Sequence, residues 1–235
     1  MTKQGGRCII VFVKAPVEGV VKTRLAERIG EPAALALYHA FASDTLSAAN
    51  RVDADVRIYG HPAGWERYAR QWTEMRAQPF TQEGADLGER MYNALAKAAE
   101  SGFTRTILIG SDIPEITESL LLKALSRLED HDAVIGPSLD GGYYLVGFSG
   151  DTAFREAFTG MAWSGPGVFE ETRKRLAEND KTVHVLKPLA DIDTYEDLHG
   201  LASRLAGRNG HPLRTRRVLA AMKMNPPSGE WPDHR

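Results

Sequence analysis

The chain has 235 residues, a net charge of −2 and 26% charged residues, so its composition gives no electrostatic case for binding nucleic acid or an acidic membrane. Its single cysteine excludes an internal disulfide framework, and no apolar run reaches the roughly 20 residues that a membrane-spanning helix needs. The N-terminus lacks the pattern of a signal peptide, so a cytoplasmic location is the default expectation. A single domain with a sizeable core is expected at this length.

Strands that alternate with helices are predicted along residues 1–206. The apolar run of residues 8–13 is rich in β-branched side chains and indicates a strand that is buried on both faces, as parallel sheets require. It contains Cys8, which is interpreted as a buried structural thiol. Further strands are predicted at residues 55–59, 106–109, 133–135, 143–148 and 183–186. Helices are predicted at residues 32–49, 64–74, 87–101, 117–128, 166–177 and 194–205.

This alternation predicts an α/β fold of one domain, with a mainly parallel, mixed sheet that is flanked by helices. Residues 207–235 are first basic and then rich in proline and glycine. They predict a C-terminal extension that is partly irregular, and no chemistry is assigned to it.

Asp112 follows the apolar strand of residues 106–109 and is the most informative residue of the sequence. A strand that ends in a lone carboxylate directs this charge at the edge of the sheet where open α/β folds bind ligands. An unpaired buried charge is costly, so the carboxylate must be paired, solvated in a cleft or bound to a metal. The alternative role is a cap for the next helix, but the helical pattern begins only at Thr117. We therefore favour contact with a metal or ligand.

The loop of residues 14–24 follows the first strand, a position that commonly meets phosphate in doubly wound folds. Its glycine would let backbone amides approach a diphosphate, and its cations could neutralise the charge. An ordinary solvated loop is an equally good interpretation, and the loop lacks the spacing of a Walker A motif. The candidate nucleotide-binding residues of this loop are Lys14, Ala15, Pro16, Gly19, Lys22 and Arg24.

Residues 82–91 join a loop to the start of a helix, whose positive end could face an anion. Asp86 is interpreted as an ordinary N-cap with Glu89 as its capping-box partner. Further candidate nucleotide-binding residues lie around this helix start and beside Asp112. They are Gln82, Gly84, Arg90 and Ser111.

Residues 137–144 join two predicted strands through Asp140, Gly141 and Gly142. Asp-Gly is a standard signal for a hairpin turn. The two glycines could also permit the close approach of an acceptor whose hydroxyl group Asp140 binds, and both interpretations can hold together. Trp163 could stack on a substrate ring, although a single tryptophan more commonly packs in the core. These four residues are the candidate acceptor-binding set.

Residues 191–198 begin another helix, and the acids of its first turn are interpreted as structural. Asp191 and Asp193 precede them directly after a strand, so they could share a hard cation with Asp112. Magnesium and manganese favour oxygen ligands, often one or two carboxylates plus substrate phosphates. The expected cofactor is therefore Mg²⁺ or Mn²⁺, held by Asp112 and Asp193. No histidine spacing supports a zinc site.

Taken together, these segments resemble the DUF2064 proteins. The resemblance rests on an ordered series of segments over about residues 8–205, namely residues 12–16, 22–25, 82–91, 111–114, 136–147 and 191–198. This family is assigned to the GT-A-type glycosyltransferases, and some members are linked by name to arsenosugar biosynthesis. Its relatives are the nucleotidyltransferases that make guanylylated phospholactate and the molybdenum cofactor dinucleotide.

The resemblance implies a nucleotide-diphospho-sugar transferase fold of the GT-A, Rossmann-like type. It also implies that Asp112 is the metal-site acid and that the loop of residues 14–24 contacts the nucleotide. Ser111-Asp112 departs from the Asp-x-Asp motif of many glycosyltransferases, which leaves an altered or metal-independent site open.

The leading hypothesis is a metal-assisted glycosyltransferase that moves a sugar from a nucleotide-diphospho-sugar to a small-molecule acceptor. Asp112, Lys22 and Arg24 are the candidate catalytic residues, because the cation and the two basic side chains would stabilise the leaving diphosphate. A nucleotidyltransferase that joins a nucleoside monophosphate to a phosphorylated small molecule must neutralise a diphosphate too, and it is the alternative. A nucleotide-binding regulator is the non-enzymatic alternative. The expected partners are a nucleotide or nucleotide sugar and an acceptor, without nucleic acid or membrane.

Overall fold

The computed structural model describes residues 6–72, 77–163, 165–206 and 210–224. Strands and helices alternate along these residues. The strands are β1 (Gly6–Lys14), β2 (Asp55–His61), β3 (Gln78–Thr81), β4 (Phe103–Ile109), β5 (Ala133–Pro137), β6 (Tyr143–Ser149) and β7 (Val183–Val185). The helices are α1 (Thr23–Ile29), α2 (Glu31–Arg51), α3 (Glu66–Ala69), α4 (Leu87–Glu100), α5 (Glu118–Arg127), α6 (Val168–Glu178), α7 (Tyr195–Leu205) and α8 (Leu213–Ala221).

These strands form one sheet in the order β3-β2-β1-β4-β6-β5-β7. Neighbouring strands pair in parallel except at β6, which is antiparallel to both β4 and β5. The predicted α/β fold with a mainly parallel, mixed sheet is therefore confirmed. From β1 the chain first extends the sheet towards β2 and later returns to add β4 on the other side. Open α/β sheets bind ligands at such a reversal of strand order.

The central strands are buried on both faces, which explains their continuous apolar runs. Side chains alternate along β1, so Ile9 and Val11 pack against α2 and α5, whereas Ile10 and Phe12 pack against α4. Cys8 is fully buried, and this burial raises the pKa of its thiol to about 12. The prediction of a buried structural thiol is therefore confirmed. In the described part of the chain, no helix has the length and apolar character to cross a membrane.

The structure differs from the sequence-based expectation in three places. Helix α1 lies within a segment that was expected to be a loop, and strand β3 was not predicted. The helix expected over residues 64–74 is shorter, because α3 continues only as a 3-10 turn over Arg70–Trp72, and residues 73–74 lie outside the described residues. Strand β3 contains Pro79, which disfavours a strand in isolation. Its parallel pairing with β2 supplies the hydrogen bonds that the local sequence cannot predict.

Helix caps confirm the structural roles that were assigned to several acids. The side chain of Asp86 accepts a hydrogen bond from the Glu89 amide at 2.9 Å, and Glu89 in turn accepts one from the Ala85 amide. In a standard capping box the Glu89 side chain would accept from the amide of Asp86, whereas here it accepts from the amide one residue earlier. Thr194 and Asp197 form a complete capping box at α7. Helix α5 is capped by Thr117, so Asp112 is not its cap.

The C-terminal helix α8 packs on α2 and buries Leu219 there. Its N-cap position is Pro212, which offers no side-chain acceptor. The carboxylate of Asp44, a residue of α2 that is 1% exposed, accepts hydrogen bonds from the amides of Arg214 at 3.0 Å and Thr215 at 2.8 Å. Asp44 therefore caps a helix that begins about 170 residues later in the chain. The rest of the predicted extension, residues 207–209 and 225–235, lies outside the described residues.

Asp44→Ala is expected to lower the free energy of unfolding by about 1–2 kcal/mol, because it leaves one buried and one half-buried amide at a helix N-terminus without an acceptor. The measurement is urea unfolding, together with hydrogen exchange at the Arg214 and Thr215 amides. Asp53→Ala is the control, since Asp53 is fully exposed in its ion pair with Arg7 and such pairs contribute little. Equal effects of the two substitutions would contradict the capping role of Asp44.

Candidate functional site

A cleft opens at the edge of the sheet where β1, β2 and β4 end. Parallel strands point in the same direction, so their C-terminal residues meet at this edge, and the N-terminal end of the antiparallel β6 joins them. Lys14 pairs with His61 across β1 and β2, and Ile109 pairs with Leu145 across β4 and β6. Three cavities of about 190, 190 and 300 Å³ occupy the cleft, and Asp112 borders all three.

One cavity of about 190 Å³, hereafter the basic cavity, brings together the cations of the N-terminal loop. Lys14 and Arg24 are exposed at its wall, and the loop approaches the acids of two other segments. Its lining residues are Lys14, Val20, Val21, Lys22, Thr23, Arg24, Tyr38, Asp112 and Asp193. The predicted convergence of the basic loop with Asp112 and Asp193 is thus present in the structure.

The ammonium group of Lys22 lies between two carboxylates. Its Nζ atom is 2.5 Å from Oδ1 of Asp112 and 2.7 Å from Oδ1 of Asp193, and only 3% of the Lys22 side chain is exposed. The backbone of Lys22 has φ of 52°, the left-handed region that non-glycine residues rarely adopt. Such strain is often found at functional sites, where the surrounding structure maintains it.

The ammonium of Lys22 is attracted to each of the two carboxylates that it contacts. Burial alone would lower the pKa of Lys22, but the negative charges of Asp112 and Asp193 outweigh it and raise that pKa above its ordinary value. Burial likewise would raise the pKa of Asp112, yet the adjacent ammonium of Lys22 holds it below its ordinary value. Lys22 and Asp112 therefore both carry their charge at neutral pH.

Tyr38 fixes the backbone at the end of β1. Its hydroxyl donates to the Lys14 carbonyl at 2.9 Å and accepts from the Lys14 amide at 2.7 Å. Burial raises the pKa of Tyr38, so the hydroxyl keeps the proton that it needs to donate. Sequence reasoning missed this residue, because a tyrosine inside α2 gives no local signal that it reaches the neighbouring strand.

The cavity of about 300 Å³, hereafter the central cavity, lies between the end of β1 and the start of α4. The side chain of Gln82, which is 9% exposed, donates from Nε2 to the carbonyls of Tyr59 at 2.9 Å and Val13 at 3.2 Å. Arg90 donates to the Gly84 carbonyl at 3.2 Å. The lining residues are Phe12, Val13, Lys14, His61, Gln82, Leu87, Arg90, Met91, Leu108, Gly110, Ser111, Asp112, Tyr143 and Tyr144.

The other cavity of about 190 Å³, hereafter the acidic cavity, is bounded by the turn between β5 and β6. The predicted hairpin is confirmed by the antiparallel pairing of these strands. Gly141 has φ of 93°, and a Cβ atom there would overlap the Pro166 carbonyl, so the turn requires glycine. The lining residues are Leu87, Met91, Gly110, Asp112, Ile113, Ser138, Asp140, Gly142, Tyr143, Tyr144, Trp163, Val168 and Asp191.

Three carboxylates line the acidic cavity, those of Asp112, Asp140 and Asp191. Asp140 accepts hydrogen bonds from the Gly142 amide at 2.9 Å and from the Ser138 hydroxyl. Asp191 has a different environment: burial, together with the charges of Asp140 and Asp193, raises its pKa to about 6. Sequence reasoning considered Asp191 only as a possible metal ligand, because the approach of the hairpin turn is not visible in the local sequence.

Trp163 belongs both to the core and to the cavity wall. Its indole lies against Gly88, where a Cβ atom would overlap it, and it meets the Tyr143 ring edge-on at 6.2 Å between ring centroids. Trp163 therefore packs against the core and also lines the acidic cavity.

Some of the predicted site residues lie behind the cleft. The Ala15 amide donates to the His61 carbonyl at 2.8 Å, and Gly19, with φ of 74°, lies close to the Glu31 carboxylate. Among the described residues, the linings of the three cavities do not include Ala15, Pro16, Gly19, Gly84 or Gly141.

Comparisons with known proteins agree with this architecture. The family model “Uncharacterized protein conserved in bacteria (DUF2064)” matches residues 45–165. A solved structure from Desulfovibrio desulfuricans G20, of a candidate nucleotide-diphospho-sugar transferase, is 36% identical with a TM-score of 0.86, and the match covers 93% of this chain and 96% of that chain. The chain therefore belongs to the DUF2064 family, as the resemblance predicted, and it has the nucleotide-diphospho-sugar transferase fold.

Two further relatives are enzymes by their names. The 2-phospho-L-lactate guanylyltransferase of Methanopyrus kandleri is 35% identical over 104 residues, which are 43% of this chain and 50% of that protein. The match thus spans about half the length of this curated relative. The 4-diphosphocytidyl-2C-methyl-D-erythritol synthase of Anaerococcus prevotii DSM 20548 shares the fold at 13% identity, with a TM-score of 0.55 over 83% of this chain and 95% of that chain.

Asp191 is expected to titrate near pH 6, because its pKa is raised to about 6 from the ordinary value of 3.8. Between these two values the folded protein binds more protons than the unfolded chain at this group, so the contribution of Asp191 to stability falls as the pH rises from about 4 to about 6. The measurement is the carboxyl ¹³C chemical shift of Asp191 as a function of pH.

The variant Asp140→Asn tests the cause of the raised pKa of Asp191, because it removes one neighbouring charge and keeps the size of the side chain. The midpoint should move down but stay above 3.8, because burial is the larger contribution. A wild-type midpoint near 4 would contradict the environment that the structure assigns to Asp191.

Proposed function

We propose that the protein is a glycosyltransferase that moves a sugar from a nucleotide-diphospho-sugar to a small acceptor. The observation that carries this proposal is the contact of Lys22 with both Asp112 and Asp193 beside the basic cavity, at the reversal of strand order. A diphosphate needs positive charge where its leaving oxygens develop negative charge. The basic cavity offers this charge in the part of the fold where open sheets bind ligands.

The oxygen donors of this centre fit Mg²⁺ or Mn²⁺. One oxygen of each acid contacts Lys22, and the side chains of Asp112 and Asp193 remain 40% and 48% exposed. Hard divalent cations often bind through one or two carboxylates and complete their coordination with water and substrate phosphates. Within the described residues, no group of three or more His, Cys, Asp or Glu side chains is placed to hold a metal. We therefore expect the cation to bind together with the nucleotide.

The proposed reaction depends on how the chain stabilises the leaving group. An acceptor hydroxyl forms a bond to the anomeric carbon while the bond from that carbon to the diphosphate breaks. The nucleoside diphosphate leaves with the electron pair, and the hydroxyl proton passes to solvent water. Asp112 and Asp193 would hold the cation, which supplies Lewis-acid stabilisation of this leaving group. Lys22 has three N–H donors, so one remains for a phosphate oxygen after its two contacts with the acids. Arg24 and Lys14 add charge from the wall of the same cavity.

Nucleotidyl transfer is the second candidate, and similarity to the Methanopyrus kandleri guanylyltransferase favours it. A phosphate oxygen of the acceptor would bond to the α-phosphorus of a nucleoside triphosphate while the bond to the β-phosphate breaks, and pyrophosphate would leave. The basic cavity serves this reaction as well, because the leaving group is again a diphosphate. The two reactions differ in the product that is released.

One set of assays tests the proposal. The protein is mixed with Mg²⁺ or Mn²⁺, a panel of nucleoside triphosphates and nucleotide sugars, and a broad acceptor panel, and thermal unfolding and product release are followed. Stabilisation by a nucleotide sugar with release of a nucleoside diphosphate supports glycosyl transfer, and release of pyrophosphate supports the second candidate. Stabilisation without turnover favours a nucleotide-binding regulator. No stabilisation by any nucleotide contradicts all three functions.

Asp112→Asn is expected to weaken nucleotide binding in the presence of metal at least about tenfold, because it removes a charged oxygen ligand. The measurement is isothermal titration with and without Mg²⁺, with circular dichroism as the check of the fold. Asp130→Asn is the control, because Asp130 is exposed before β5, at the opposite edge of the sheet. Equal affinity of both variants would remove Asp112 from the proposed site.

Gly110→Leu is expected to block the cleft without disturbing the fold. Gly110 lines the central and acidic cavities, and a Cβ atom there would meet no atom within 4 Å. Nucleotide affinity should fall at least about tenfold, whereas the free energy of unfolding should change by less than about 0.5 kcal/mol. Gly167→Leu, which also adds a side chain in open space but outside the three linings, is the control. Unchanged binding by Gly110→Leu would contradict the use of this cleft.

A further inference from the structure

The acidic cavity differs in charge from the basic cavity, although Asp112 borders both. Asp140 and Asp191 supply carboxylates to its lining, and among the described residues this lining contains no lysine, arginine or histidine. The cation whose charge acts on Asp191 is Lys22, and its ammonium already contacts Asp112 and Asp193. A ligand of the acidic cavity is therefore close to several negative charges, and the positive charge of Lys22 is already paired with two carboxylates.

This balance discriminates between ligand classes. A carboxylate or phosphate placed beside Asp140 and Asp191 would meet like charges, and such juxtaposition across an interface is strongly unfavourable. A hydroxyl or ammonium group would instead donate hydrogen bonds to the carboxylate oxygens, which in their ionised form only accept. The cavity therefore selects for donors and against anions.

The remaining wall indicates the shape of the ligand. The rings of Tyr143, Tyr144 and Trp163 border the cavity together with aliphatic side chains. The rings of Tyr143 and Trp163 stand at 87° to each other, and the polar side chains of Ser138 and Asp140 border the same cavity. A sugar ring matches this division, because its C–H faces are apolar and its rim carries hydroxyl groups. A volume of about 190 Å³ is sufficient for a small molecule of this kind but not for a polymer.

We propose that the acidic cavity takes a small, sugar-like acceptor that donates hydrogen bonds and carries no anionic group, and that Asp140 and Asp191 determine this specificity. The inference rests on the proposed function, because it assigns the second substrate of the same cleft. It also distinguishes the two proposed reactions, since an acceptor for nucleotidyl transfer presents a phosphate. Asp191 thereby becomes a specificity residue rather than a metal ligand.

A matched series of probes tests this inference: glucose, glucosamine, glucuronic acid and glucose 6-phosphate. Binding to the full chain is measured by saturation-transfer NMR in the presence of Mg²⁺ and a nucleoside diphosphate. Glucose and glucosamine are expected to bind, and the two anions at least about tenfold more weakly. Comparison of the first two distinguishes hydroxyl from ammonium recognition. Gly110→Leu should abolish the glucose signal, which would locate the binding in this cleft.

The variants Asp140→Asn and Asp191→Asn remove one charge each without changing side-chain size. Each is expected to reduce the discrimination against glucuronic acid several-fold, whereas Asp130→Asn should leave it unchanged. Equal binding of all four probes, a preference for an anion, or binding of none would overturn the inference. Nucleotide binding to the wild-type protein is recorded in the same samples. If the protein does not bind the nucleotide, the result counts against the proposed function. If it binds the nucleotide but gives one of the three contradicting results with the sugar probes, only the proposed acceptor class is wrong.

Discussion

The candidate site depends on one buried ammonium group that is shared by two carboxylates. Lys22 lies 171 residues from Asp193 in the sequence, yet the two side chains are 2.7 Å apart. Loss of one partner from a buried ion pair leaves an uncompensated charge, which is strongly destabilising. The loop after β1, the residue that follows β4 and the segment before α7 must therefore stay together in the folded protein.

Helix α2 supports this arrangement from behind. Tyr38 holds both backbone groups of Lys14, Phe41 lies 6.0 Å from the Lys22 ammonium, and Asp44 caps α8. These residues follow one another at intervals of three along α2, so this one helix contacts the end of β1, the basic loop and the C-terminal helix. The cleft carries basic side chains at one end and acidic side chains at the other.

Under the proposed function, the opposite charges at the two ends of the cleft would separate the two substrates. A diphosphate is attracted to the end that contains Lys14, Lys22 and Arg24, and repelled from the end that contains Asp140 and Asp191. Asp112 borders both ends, so it lies where the group to be transferred would pass from donor to acceptor.

Sequence alone determined the features that depend on near neighbours. The apolar runs of β1 and β4, the caps at Asp86 and Thr194, and Asp112 at the edge of the sheet follow from periodicity and hydrogen bonding within a few residues. The tertiary structure alone decided the rest: strand β3, the bridge of Lys22 between two acids, and the approach of Asp140 to Asp191. These contacts depend on which strands lie side by side in the sheet. A contact between two distant segments leaves no periodic pattern in the sequence of either segment.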